Sequence, residues 1–121
     1  MSDRICIYSK GTLKPELSAE DLVSCCGWFC GAGCQGGIPI QAWMYWKNHG
    51  IVTGGDYQTK DCCRPYEFPP CNHHVNGTLP PCEGEYQTPK CEKMCQDGYN
   101  KSYNNDLHFG KSSINRKATC R

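Results

Sequence analysis

The chain has 121 residues and a formal net charge of +1, enough for one modest domain and without the field that would draw nucleic acid or an anionic membrane. Isoleucine, leucine, valine and phenylalanine supply only 17 residues, below the roughly 20% at which a self-sufficient apolar core becomes hard to build. Twelve cysteines offer another way to hold the chain, since that density is typical of oxidising compartments where cross-links stand in for core volume.

Met1-Ser2-Asp3-Arg4 leads into no apolar run of signal-peptide length, and no window reaches the length of a membrane-spanning helix. An exported composition without an export signal implies a natural N-terminus further upstream. The first clear element is Ser18-Ala19-Glu20-Asp21-Leu22-Val23-Ser24, where Ser18 suits the N-cap and two acids occupy the first turn, favoured there by the helix dipole. This helix is expected to stop at Cys25-Cys26-Gly27. From Gly27 to Pro39 five glycines and two cysteines, Cys30 and Cys34, predict tight irregular turns.

A second helix begins at Pro39, whose fixed φ suits a first turn, and ends at Gly50, a good C-terminal cap. Ile40, Trp43, Met44 and Trp46 form its apolar stripe, expected to pack into the core. From Thr53 onward Gly54-Gly55, Pro69-Pro70, Asn76-Gly77 and Pro80-Pro81 predict loops. A loop stretch this long needs pinning. Adjacent cysteines, Cys25-Cys26 and Cys62-Cys63, are expected to bridge outward to different partners, but spacing alone leaves the connectivity open. Zinc is the alternative use of Cys26, Cys30, Cys34, His73 and His74; the absence of any C-x2-C pair speaks against it, and no metal or other cofactor is expected. Two N-glycosylation sequons, Asn76-Gly77-Thr78 and Asn100-Lys101-Ser102, agree with a secretory route.

Taken in order, Ser2-Asp3-Arg4-Ile5-Cys6-Ile7, Ser18-Ala19-Glu20-Asp21-Leu22, Cys25-Cys26-Gly27, Cys34-Gln35-Gly36-Gly37-Ile38-Pro39, Cys63-Arg64-Pro65-Tyr66 and Pro69-Pro70-Cys71-Asn72-His73-His74-Val75-Asn76-Gly77 resemble the cathepsin B-like cysteine peptidases of the papain family. The resemblance implies a disulfide-rich α+β fold, an incomplete part of the papain-like architecture made mostly of left-domain helices and long disulfide-pinned loops. It spans residues 1–110 as a partial peptidase domain, with residues 111–121 as a divergent tail. It implies four disulfides, Cys25 with Cys91, Cys26 with Cys30, Cys63 with Cys95 and Cys71 with Cys82, and leaves Cys6, Cys34, Cys62 and Cys120 over. Two of these, Cys6 and Cys34, resemble residues whose family partners lie upstream of Met1.

The same resemblance assigns function to the remaining segments. Gly36-Gly37 is similar to the strand that pairs with substrate backbone, where a side chain would block close approach, and Ile38 and Pro39 are similar to the wall of the pocket for the second substrate residue. His73 and His74 resemble the pair on the occluding loop, about residues 71–82, which closes the cleft and grips a substrate carboxylate in the intact dipeptidyl carboxypeptidases. The nucleophile motif C-G-[SA]-C-[WY] is absent; Cys30-Gly31-Ala32-Gly33-Cys34 carries one glycine too many and no aromatic after it. Met1 aligns inside the family's central helix, past the nucleophile, and the catalytic histidine and asparagine lie beyond the C-terminal end. His49 and His108 are read as surface or packing residues. The chain is therefore expected to be catalytically incompetent alone, with peptide or protein substrates and cystatin-like inhibitors as the family's partners and a lysosomal or extracellular location. A non-catalytic, disulfide-rich peptide- or inhibitor-binding module is the alternative.

Overall fold

The computed structural model describes residues 1–111; the rest of the tail, Cys120 included, lies outside the described residues. Helix α1 spans Ser2–Tyr8, α2 Ala19–Cys25 and α3 Pro39–His49. Short 3-10 turns occupy Gly27–Phe29, Gly33–Gln35 and Tyr103–Asp106. Among the described residues β structure reduces to four isolated bridges, three of them antiparallel. No described helix is long and apolar enough to cross a membrane.

Ser18 caps α2 as its residue type predicts: its Oγ accepts the Asp21 N–H at 2.9 Å, satisfying one of the orphan donors of the first turn. The same hydroxyl donates to the Arg64 carbonyl at 2.7 Å, so the cap also ties α2 to a loop 46 residues away. Pro39 opens α3, and Gly50 closes it at φ +75°, a left-handed conformation that a side chain resists. Helix α1 lies where the resemblance aligns Met1 with a central helix; no side chain caps it, and its Ile5 packs beside the core.

The core is small and split. One cluster joins Cys26, Tyr45, Trp46 and Ile51, with Ile5, Leu17 and Leu22 packed against it. The other joins Val52, Cys63 and Tyr103. The stripe expected on α3 is corrected here. Tyr45 and Trp46 are the buried pair, whereas Ile40, Trp43 and Met44 remain exposed, because no described element covers that side of the helix.

Four disulfides tie the loops to these clusters, and they are the four pairs that the resemblance implies: Cys25–Cys91, Cys26–Cys30, Cys63–Cys95 and Cys71–Cys82. In the chain-entropy treatment the first, closing 66 residues, contributes about 4 kcal/mol and the second, closing 4, about 2 kcal/mol. Among the described residues Cys62 does not bridge beside Cys63, against the expectation for adjacent cysteines and in line with the resemblance, which leaves it over. It is an unpaired, buried thiol there. Burial first, then the charges of Glu16, Asp106 and Asp61, push its pKa up and keep it a protonated packing residue.

Two buried carboxylate centres do the remaining work. Asp21, fully buried, accepts the Tyr103 hydroxyl at 2.8 Å and faces Arg64 at 3.4 Å. Asp106 accepts the Thr53 N–H at 2.8 Å, the Thr53 hydroxyl at 2.6 Å and the Tyr99 hydroxyl at 2.8 Å. Both join the segment after Thr53 to the first half of the chain, beside the Val52, Cys63 and Tyr103 cluster.

Candidate peptide-binding site

The Cys26–Cys30 disulfide fastens the glycine-rich loop to the end of α2. There the loop folds back on itself: Ala32 N–H donates to Gly36 O at 2.8 Å and Ile38 N–H to Cys30 O at 2.7 Å, framing an antiparallel bridge between Gly31 and Gly37. In a pair framed in this way, the N–H and C=O of the paired residues point outward. Gly37 thus presents a peptide group with no backbone partner among the described residues. Side chains are excluded from the crossing, since a Cβ on Gly37 would lie 2.7 Å from Cys30 O. Ile38 and Pro39 follow directly, both exposed, Ile38 by 53%.

Beside Gly36 and Gly37 lies a hollow of about 430 Å3, lined further by Val23, Gly33, Cys34 and the rings of Tyr66, Phe68 and Tyr86. No local pattern announces these rings, because they reach the glycine loop from segments 30 to 50 positions downstream. Phe68 and Tyr86 stack with centroids 4.2 Å apart, and Tyr66 meets Phe68 edge-on at 5.8 Å. Thr88 fixes the Tyr86 arm to the loop by accepting the Cys34 N–H at 3.1 Å. Burial first, then the charges of Cys34 and Glu20, raise the pKa of Tyr66 and keep its hydroxyl protonated.

His73 and His74 stand elsewhere, on the loop closed by Cys71–Cys82. Asn72 N–H donates to Pro80 O at 2.8 Å and Cys82 N–H to Asn72 O at 3.1 Å, which narrows the loop's base. Just past that base both histidines are exposed, their rings 4.0 Å apart and edge-on, with His74 at φ +58°. Neither lines the hollow. The sequon asparagines Asn76 and Asn100 are exposed.

Of the other histidines, His49 is exposed and stacks on Tyr45 at 4.8 Å. His108 is half-buried, and burial lowers its pKa. The unpaired cysteines among the described residues are Cys6, Cys34 and Cys62. None of them hydrogen-bonds to a histidine there: the Cys34 thiol faces Gln87 O at 3.9 Å and Cys62 faces Thr59 O at 3.7 Å. The described residues hold no group of three or more potential metal ligands.

A disulfide-pinned segment with a glycine edge and a cross-linked loop is what this geometry defines, and the papain family cysteine protease profile matches residues 1–120. The chain belongs to the papain family of cysteine proteases, among its cathepsin B-like members. It is 52% identical over 116 residues to the cathepsin B-like cysteine proteinase of Schistosoma japonicum, covering 95% of this chain and 34% of that one. With cathepsin B-like cysteine proteinase 6 of Caenorhabditis elegans it shares 52% identity over 120 residues, covering 97% of this chain and 31% of the relative. The solved structure of proCathepsin B S9 from Trypanosoma congolense matches with a TM-score of 0.55 at 36% identity, covering 79% of this chain and 26% of that one. The chain spans about a third of the length of the curated relatives it matches.

Proposed function

We propose that this chain is a piece of a cathepsin B-like cysteine peptidase that carries part of the substrate cleft and none of the catalytic triad. The outward peptide group of Gly37, at the rim of the aromatic hollow, is the observation that carries this reading. Such an edge takes up an extended peptide by β-augmentation. Ile38 and Pro39 flank the next side chain along.

Chemistry is a separate matter. Peptide hydrolysis by a cysteine requires a thiolate activated by an adjacent imidazole. Cys34, the exposed thiol at the cleft, is held by a carbonyl that cannot accept its proton in exchange. That contact and the missing C-G-[SA]-C-[WY] motif support an inactive isolated chain. The Cys71–Cys82 loop, with the exposed His73 and His74 just past its base, is proposed as the occluding loop, where the imidazoles meet a substrate carboxylate. Exposed Asn76 and Asn100 are the proposed glycan sites of a protein made for the lysosome or the exterior, with protein substrates and cystatin-like inhibitors as partners.

The test of the Gly37 edge leaves the protein untouched. An extended acetylated peptide should bind the full chain, and methylating its single paired amide nitrogen should weaken binding by about tenfold. Equal affinity of the methylated peptide would overturn the proposal.

A further inference from the structure

The hollow beside Gly37 has a wall that the backbone edge alone does not explain. Its two stacked rings come from opposite sides of the Cys71–Cys82 loop: Phe68 lies just before Cys71 and Tyr86 just after Cys82. The Tyr86 arm is held to the glycine loop through Thr88 and Cys34, and Tyr66 braces Phe68 edge-on. The wall is thus fixed in place before any ligand arrives. It is also open, because Tyr66 and Tyr86 keep 37% and 41% of their surface exposed.

Among the described residues lining the hollow, none is charged. A charged side chain entering it would lose hydration without gaining a partner, whereas a flat ring gains both apolar burial and the offset or edge-on contacts that aromatic groups prefer. The volume of about 430 Å3 lies within the range of small-ligand clefts, which suits one large side chain. An extended backbone paired with Gly37 directs alternate side chains to opposite faces, so one of them is delivered toward the rings.

We propose, resting on the reading of Gly37 as a substrate-pairing edge, that this hollow selects peptides carrying an aromatic side chain, with Tyr66, Phe68 and Tyr86 as the specificity-determining residues. The ligand is an extended peptide presenting Phe, Tyr or Trp. Acidic and basic side chains are disfavoured at that position.

Dissociation constants of acetylated, amidated alanine peptides carrying Phe, Leu, Arg or Glu at one position, measured by NMR titration of the full chain, decide the matter. The Phe peptide should bind about three- to tenfold more tightly than the Leu peptide, with Arg and Glu weaker still. In Tyr86→Leu, which keeps apolar volume and removes the ring, the Phe-to-Leu ratio should fall toward one. Tyr86→Ser is a harsher second variant and should give the same loss of preference. Binding of all peptides with no preference for Phe, tighter binding of Arg than of Phe, or a ratio unmoved by Tyr86→Leu would overturn the aromatic selection while leaving the Gly37 edge standing. Failure of every peptide to bind would overturn that edge, and the selection with it.

Discussion

Replacing Arg64 by Met probes how the chain compensates for its thin core. Arg64 Nη1 lies 3.4 Å from Asp21 Oδ1 and 3.2 Å from Ser24 Oγ, and Nη2 lies 3.9 Å from Glu20 Oε1. Both carboxylates are buried, and Glu20 Oε1 has no hydrogen-bond partner besides this ion pair. Removing one partner of a buried pair costs about 3–5 kcal/mol, since the remaining charge is stranded. The Arg64 side chain keeps 10% of its surface exposed and its contacts are long, so the lower end applies, about 3 kcal/mol of a total margin of roughly 5–15. The loss also depends on pH. Burial raises the Glu20 pKa, while the Glu67 N–H and Arg64 pull it back down. Without Arg64 it rises further. Stability from a raised carboxyl is fully present below its ordinary value and lost as pH rises through the folded value. The deficit of Arg64→Met should therefore be largest at neutral pH and narrow as pH falls toward the ordinary glutamate range. Urea unfolding at neutral and mildly acidic pH measures it, and Glu20→Gln in the Arg64→Met background should recover about 1 kcal/mol. A loss under about 1 kcal/mol, or one independent of pH, would refute this account of the cluster.

Asp106→Ala removes the acceptor of the Thr53 N–H, the Thr53 hydroxyl and the Tyr99 hydroxyl. The two hydroxyls, 3.1 Å apart, can still pair, so the Thr53 N–H is the donor left stranded, and chemical denaturation should show a loss of about 2 kcal/mol. Burial alone would raise the Asp106 pKa, but the bonds from Thr53 and Tyr99 outweigh it and hold the carboxyl below its ordinary value. This contribution should accordingly persist above the ordinary aspartate range and fade as pH falls below it, a fade that Asp106→Ala abolishes. The double variant Cys63→Ser, Cys95→Ser opens a loop of 32 residues and should lose about 3–4 kcal/mol in the same assay; a loss near zero would mean that the bridge only decorates a fold held by other contacts.

Much of the scaffold was legible because its signals are local. Ser18 caps its own helix, and Pro39 and Gly50 bound theirs within one span of chain. The cysteine pairs were legible only through family resemblance, since spacing leaves them open. What stayed hidden depends on distant partners. Glu20 and Asp21 read as first-turn acids suited to a helix dipole, yet Asp21 is paired with residues 43 and 82 positions away. Trp43 and Tyr45 share one short helix, and periodicity could not say which would be buried. Helix α1 has no side-chain cap to announce it and was reached only through the resemblance. Of the proposed site, Gly36 and Gly37 were singled out only through the resemblance, whereas the rings of Tyr66, Phe68 and Tyr86 are brought together by arms on either side of the Cys71–Cys82 loop.

Whether this polypeptide binds peptides without cutting them is tested most directly by incubating purified chain, free of contaminating protease, with a dibasic fluorogenic peptide at mildly acidic pH, beside a Cys30→Ser, Cys34→Ser control. The expected result is no turnover above that control and no stoichiometric adduct with an epoxide thiol inhibitor. Turnover that the control lacks would contradict it and place a working thiolate–imidazole pair within these residues.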